Sequence, residues 1–291
     1  MADLVWIAGD QLSAAINPHG AELTHLRDAN GAELMTDADP AFWPRHAPLL
    51  FPVVGVTNGG VIRVGGTEYP VPKHGFAREL SFTLAEHDDA SATFRLADSA
   101  DTRRAYPFAF QLSVTFRIAG ATLLSEVRVH NPADTPLLAQ FGFHPAFAWP
   151  LPYGRPRADH RVMFDVDEPA ALRAITPQGM IAAETRPSPL EDRTLVLADA
   201  LFADDALVWD PVASQALTYG ATDGPHLRIA YTDTDRLGIW TKPGAAFVCV
   251  EPWHGIADPD GFTGEFADKP GVFTVAPGAV KRMSMSVTLV P

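Results

Sequence analysis

The 291-residue sequence has a single cysteine, Cys249, so no internal disulfide framework can hold the fold together. It is also short of basic charge. Twenty-two Lys and Arg stand against 35 Asp and Glu, a formal net charge of −13, and no basic cluster overrides that balance. A field of this sign repels phosphate backbones and anionic membrane surfaces, so neither nucleic acid nor a membrane is an expected partner. No stretch reaches the ~20 uninterrupted apolar residues of a membrane-spanning helix. The start, "MADLVWIAGDQLSAA", lacks the basic residues and long apolar run of a secretory leader, and the expected compartment is the cytoplasm. The ten histidines never fall into H-x-H or H-E-x-x-H, so metal-ligand spacing is missing. There is no G-x-S-x-G, and the glycines of "TNGGVIRVGG" open no helix, which removes a nucleophile elbow and a phosphate loop. Cys249 lies inside an apolar run, where a thiol is usually inert packing. No metal and no cofactor are expected.

What is present is the material of a large β protein. Hydrophobic residues make up 47%, with 17 Phe and 6 Trp, enough for a sizeable core. Glycine and proline are scattered along the whole chain and punctuate short runs rich in Val, Phe, Thr and Leu, the pattern of many strands and turns. "QLSAAI", "AELTHL" and "AELM" read as a three-strand meander, and "LSFTLAEH" with "ATFRLAD" and "QLSVTFRIAG" with "TLLSEVRVHNP" read as hairpins. Leu112, Val114, Phe116 and Ile118 alternate with Ser113, Thr115 and Arg117, and Met283, Met285, Val287 and Leu289 alternate with Arg282, Ser284, Ser286 and Thr288. The expectation is an all-β chain forming one domain over residues 1–291. Short helices are expected only in "EPAALRAI" (168–175) and "PLEDRTLVLADALFADD" (189–205), and the Pro-rich stretch 145–156 as an ordered loop over the core or beside a cleft.

Four segments carry candidate chemistry. In "FGFHPAF", an extended chain points Phe141, Phe143, Pro145 and Phe147 one way and Gly142, His144 and Ala146 the other, so that two small residues leave room for a ligand beside the imidazole. Pro145 removes a ladder donor, which suits a strand end beside a cleft, although a lone His among aromatics is more often a hydrogen-bonded structural residue. In "AAFVCVEPW", Phe247, Cys249 and Glu251 share a face opposite Ala246, Val248 and Val250. A carboxylate ending an apolar strand meets a cation or donors, has a raised pKa at a pocket, or is simply solvated beside a core Trp253. Trp253 offers the flat apolar surface on which a sugar ring packs. In "KHGFAREL", Gly75 lets the backbone turn closely around a ligand, and His74 and Arg78 are donors suited to hydroxyl or anionic oxygens if they are not merely solvated. "FADDALVWD" places Asp204 and Asp205 before an apolar run, and only one of the pair can share its inward direction.

Taken together, "PHGAEL" (18–23), "PLLFPVVG" (48–55), "HGFAR" (74–78), "FGFHPAF" (141–147), "DDALVW" (204–209) and "VEPWHGIAD" (250–258) resemble the aldose 1-epimerase (galactose mutarotase-like) family, above all its bacterial LacX-like branch. The motifs occur in family order across nearly the whole chain. The resemblance implies a large antiparallel β-sandwich, the galactose mutarotase-like supersandwich, with a sugar cleft on its concave face. It matches His144 to a general acid, Glu251 to a general base, and His74, Arg78 and Asp204 to substrate-binding positions, with a monosaccharide as partner and the chain a monomer or homodimer. The Asn-Arg pair that precedes the first His in better-studied mutarotases has no counterpart in "VGVTNGGVIRVGG".

The implied reaction opens and recloses the sugar ring by acid–base catalysis, with each group supplying roughly 10²–10⁴-fold. A carboxylate on an apolar strand end tends upward in pKa and a His near carboxylates tends to stay protonated, so the two are expected to approach neutrality from opposite sides. Two alternatives stand beside this reading. One is a carbohydrate-binding or sensing protein without turnover. The other is a hexose-6-phosphate mutarotase, which needs a basic cluster at the cleft rim, with Arg78 and either Arg45 or Lys73 as its candidates.

Overall fold

Alternation in the sequence becomes layering in space. In the Gln111–Ala119 strand, Leu112, Val114, Phe116 and Ile118 are buried while Gln111, Arg117 and Ala119 are exposed, and Met283, Met285 and Val287 of the Val280–Val290 strand repeat the pattern. The computed structural model describes residues 3–291, so Met1 and Ala2, which the expected domain included, lie outside the described residues. Both strands belong to a nine-stranded antiparallel sheet. Its order is Thr194–Val196, His160–Phe164, Ala216–Ala221, His226–Thr232, Val280–Val290, Thr122–His130, Gln111–Ala119, Ser91–Ala97 and Thr83–His87.

A second antiparallel sheet carries the candidate residues. Its order is Ile181–Arg186, Leu172–Ile175, Leu207–Trp209, Arg236–Trp240, Phe247–His254, Phe141–Phe143 and Leu49–Leu50, with Ala146–Ala148 also bonded to Phe247–His254. Phe141, Phe143, Phe147, Val248 and Val250 point inward and share one continuous hydrophobic cluster with Val114, Val127 and Ile229 of the first sheet. Each such buried side chain contributes about 1.5–3 kcal/mol of transfer free energy, which is why the two sheets close on each other. The result is the expected β-sandwich, and the opposite face of the second sheet is left for a cleft.

Several local expectations change. The N-terminal meander exists, but its third strand is Val5–Ala8 rather than "AELM", whose Glu33 and Met35 form only isolated bridges. "EPAALRAI" holds the strand Leu172–Ile175 and no helix, because Leu172 is needed in the core and the segment pairs on both sides. The 189–205 stretch holds the strand Thr194–Val196 and, of helix, only a short 3₁₀ turn, Asp199–Phe202. The one α-helix among the described residues, Ala100–Ala105, was not expected; Ser99 and Thr102 form a reciprocal capping box that starts it. The Pro-rich stretch covers the core: Trp149 and Leu151 are buried and Arg157 lies over the Trp149 ring at 3.5 Å. No helix among the described residues is long and apolar enough to cross a membrane.

Candidate active site

On the outer face of the second sheet lies a cavity of about 450 Å³. Its floor follows from strand alternation. Because Val248 and Val250 point into the sandwich, Phe247, Cys249, Glu251 and Trp253 must point out of it, and Glu251 and Trp253 line the cavity. On the neighbouring chain the same logic sends Phe141 and Phe143 inward and His144 outward, at the break between Phe141–Phe143 and Ala146–Ala148. The two candidate catalytic groups, 107 residues apart in sequence, thereby meet: His144 Nε2 lies 3.2 Å from Glu251 Oε2. Both are buried, Glu251 at 2% and His144 at 8% exposure.

The small residues beside His144 have a different purpose from the one their size suggested. They do not leave room for a ligand. A Cβ on Gly142 would come within 2.5 Å of Trp253 Cδ1, and one on Gly238 within 2.5 Å of the far end of the same ring, so the indole lies flat across three strands and fills that space. Ala146 packs in a cluster with Cys249, Phe247, Trp43 and Trp240.

His74, Arg78, Lys73 and Arg45 enter from the side of the Leu49–Leu50 strand. His74 has φ +66°, a left-handed conformation that a non-glycine residue holds only where its surroundings insist. They do so by two bonds: the His74 N–H donates to the Gly55 carbonyl at 2.8 Å, and the Gly55 N–H donates to His74 Nδ1 at 3.1 Å. Nδ1 must therefore be unprotonated, and the ring presents Nε2–H as its donor. Gly75 turns the chain not around a ligand but against its own backbone, where a Cβ would overlap the Phe51 carbonyl. Arg78 donates to the Lys73 carbonyl at 2.9 Å, and Glu79 reaches both Arg45 (2.6 Å) and Arg78 (3.4 Å).

Of the acidic pair before the Leu207–Trp209 strand, Asp205 lines the cavity and Asp204 does not, contrary to the match drawn from sequence. Asp205 sits at φ +72° and accepts from the Ala206 N–H, a turn that aims it at the cleft as the strand begins. Sequence reading also passed over Trp43, Trp240 and Gln140. The Gln140 amide accepts from the Val54 N–H and donates to the Ile256 and Pro270 carbonyls, so one buried side chain pins two segments of the cavity wall. The available signal was a lone amide directly before the aromatic "FGFHPAF", and the structure buries it completely.

Electrostatics divide the cavity. Burial pushes the Glu251 carboxyl well above the usual carboxylate range, and the Asp205 charge adds to the effect. Burial pulls the His144 imidazole down to about 3, with the Arg78, Lys73 and Arg45 charges acting in the same direction. His74 is lowered well below the ordinary imidazole value by burial and then by His144 and the same cations. The expectation that His144 stays protonated is thus overturned for the unliganded protein, because desolvation and nearby cations outweigh one buried and neutralised carboxyl. The pair retains one proton, held on Glu251. Cys249 offers a sulfur within 4.8 Å of donor atoms on His144 and Glu251, a cluster no sequence spacing announced. Burial raises its thiol well above the ordinary range, and the three cations of the cavity oppose a metal cation there.

Comparisons with known proteins bear on the family and the fold. The family model described as aldose 1-epimerase matches residues 3–258. Protein LacX, plasmid, of Lactococcus lactis subsp. lactis is 29% identical over 97% of this chain and 98% of its own length. The putative glucose-6-phosphate 1-epimerase of Escherichia coli (strain K12) is 27% identical over 46% of this chain and 45% of its own length. Among solved structures, a galactose mutarotase related enzyme from Lactobacillus acidophilus has a TM-score of 0.91 at 29% identity, covering 99% of this chain and 98% of the other. A galactose mutarotase-like protein from Lactobacillus casei ATCC 334 has a TM-score of 0.92 at 28% identity, covering 99% and 100%. With its sandwich, its cleft and a match over most of its length, this chain belongs to the aldose 1-epimerase family of isomerases.

Proposed function

We propose that the protein interconverts the α and β anomers of an aldose, with Glu251 and His144 as its acid–base pair. The observation that carries this reading is the 3.2 Å approach of the two groups at the wall of one cavity, since sugar binding alone requires no such pair. Anomer exchange needs one group to take the proton of the C1 hydroxyl and another to protonate the ring oxygen. As sugar hydroxyls solvate the carboxylate, the pair's single proton crosses to His144. His144 Nε2–H then protonates the ring oxygen while the Glu251 carboxylate takes the C1 hydroxyl proton. The C1–ring-oxygen bond opens, the aldehyde rotates, and closure on the other face returns both protons with the roles reversed. His74 Nε2–H supplies a neutral donor to sugar oxygens, Arg78 a charged one, Asp205 accepts from hydroxyls, and Trp253 is the apolar floor on which the ring packs.

A second observation favours a phosphorylated aldose. Arg45, Lys73 and Arg78 line this cavity in a chain of net charge −13, and Glu79 alone pairs with two of them, while Lys73 is in no ion pair among the described residues. The Escherichia coli relative, a putative glucose-6-phosphate 1-epimerase, points the same way. The test is NMR saturation transfer between anomers with purified protein, over a panel of neutral aldoses and their 6-phosphates. Acceleration over the buffer rate is expected, with His144→Ala and Glu251→Gln each losing roughly 10²-fold or more. Lys73→Ala should raise KM for the 6-phosphate by about 10-fold and leave that for the neutral sugar unchanged. No acceleration for any sugar, together with tight binding of one, would make the protein a sugar sensor instead.

A further inference from the structure

A working imidazole is ordinarily held by a hydrogen bond at the nitrogen that does not face the substrate. His144 has none from another residue: its Nδ1 is buried and has no partner beyond its own backbone. Packing takes over that task. Trp43 stacks on the ring with centroids 4.8 Å apart and planes 23° apart, while Trp240 and His74 meet it near perpendicular, at 84° and 82°. Trp43 comes from no strand but from the loop before Leu49–Leu50, and it is wedged in turn against Trp240 and Phe247 at 5.7 and 5.6 Å.

That loop is staked. The buried Glu22 carboxylate accepts from the His46 N–H at 2.6 Å and the Ala47 N–H at 3.0 Å, and the Trp43 N–H donates to the Asp39 carbonyl. Lys242 reaches the Ala41 and Phe42 carbonyls at 3.3 Å. An aromatic ring that is partly exposed, lines the cavity and is fixed so firmly at its base has a position set by the fold rather than by the solvent.

We infer that Trp43 is the positioning residue of His144: its stacked indole sets the tilt of the imidazole toward Glu251 and seals one face of it from water. The inference rests on the acid–base reading of the pair. The charged and titratable groups around the imidazole are Glu251 and Cys249 on its neighbouring strand, His74, Lys73 and Arg78 on the following wall, and Arg45 on the loop of Trp43 itself. Removing the indole lets water reach the ring while leaving these groups in place, so the ring's titration reports the indole's contribution.

The experiment combines kinetics with ¹⁵N NMR of the histidine side chains in Trp43→Phe and Trp43→Ala. Trp43→Ala should lower kcat by about 10–100-fold with a smaller change in KM, as expected when a catalytic group loses its orientation. Its His144 signals should titrate closer to the ordinary imidazole range, and Trp43→Phe should restore most of both properties. Glu22→Gln, which loosens the loop without touching the cavity, should move both in the same direction more weakly and serves if Trp43→Ala does not fold. Unchanged kcat and unchanged His144 titration in Trp43→Ala would overturn the inference, as would a rise in KM alone. The NMR titration reads the positioning even in a protein with no turnover, so its failure and failure of the epimerase reading are told apart.

Discussion

Glu251 and His144 shift in opposite directions for one reason, since burial favours the uncharged form of each. A second proton enters the pair only near pH 3, and the last one leaves only well above the 4.5 of an ordinary Glu. Because kcat/KM reports the free enzyme, its acid limb should lie near pH 3 and its alkaline limb, where Glu251 loses its proton, well above the ordinary Glu value of 4.5. A pH–rate profile with an acid limb centred near 6.5 would contradict this assignment. At this scale strand alternation separated His144 from the phenylalanines and put Glu251 opposite Val248 and Val250, while their roles came from the family resemblance. Their charge states were not legible, because those depend on how many charges and how little water surround each group. Asp205 rather than Asp204 was likewise beyond reach, since a single left-handed residue decides which of two adjacent carboxylates turns inward.

Trp253 shows how elements, rather than residues, make the cavity. Its strand runs between Arg236–Trp240 and Phe141–Phe143, and a glycine on each neighbour clears the space its ring occupies. Gly142→Ala should therefore drive the indole up into the cavity, costing about 1–3 kcal/mol of stability by overpacking and weakening sugar binding together. Thermal denaturation with isothermal titration of a bound aldose checks both, and a variant with unchanged affinity would mean the ring is not the floor. The hairpins of the nine-stranded sheet were legible because period-two patterns and turn residues are local. The Leu172–Ile175 strand was mistaken for a helix because its apolar residues are too few to show a period, and pairing on both sides decided the matter.

The last strand, Val280–Val290, lies in the interior of the nine-stranded sheet, bonded on one side to Thr122–His130 and on the other to His226–Thr232. Truncation before Val280 would expose two ladder edges and the cluster that includes Met283, Met285 and Val287, so the shortened chain should lose its cooperative thermal transition and aggregate. A soluble truncated protein with a sharp transition would show the halves of the sheet to be separable. The sequence by itself determined the all-β class, the core faces and the residue types available for chemistry, because alternation and turn chemistry act over a few residues. Only the tertiary structure decided that His144 lies 3.2 Å from Glu251, that Trp43 caps the imidazole, and that three cations share their cavity. Those contacts join segments up to two hundred residues apart. No local pattern encodes them, and they exist only because burial of two sheet faces against each other leaves the opposite face of one free to gather them.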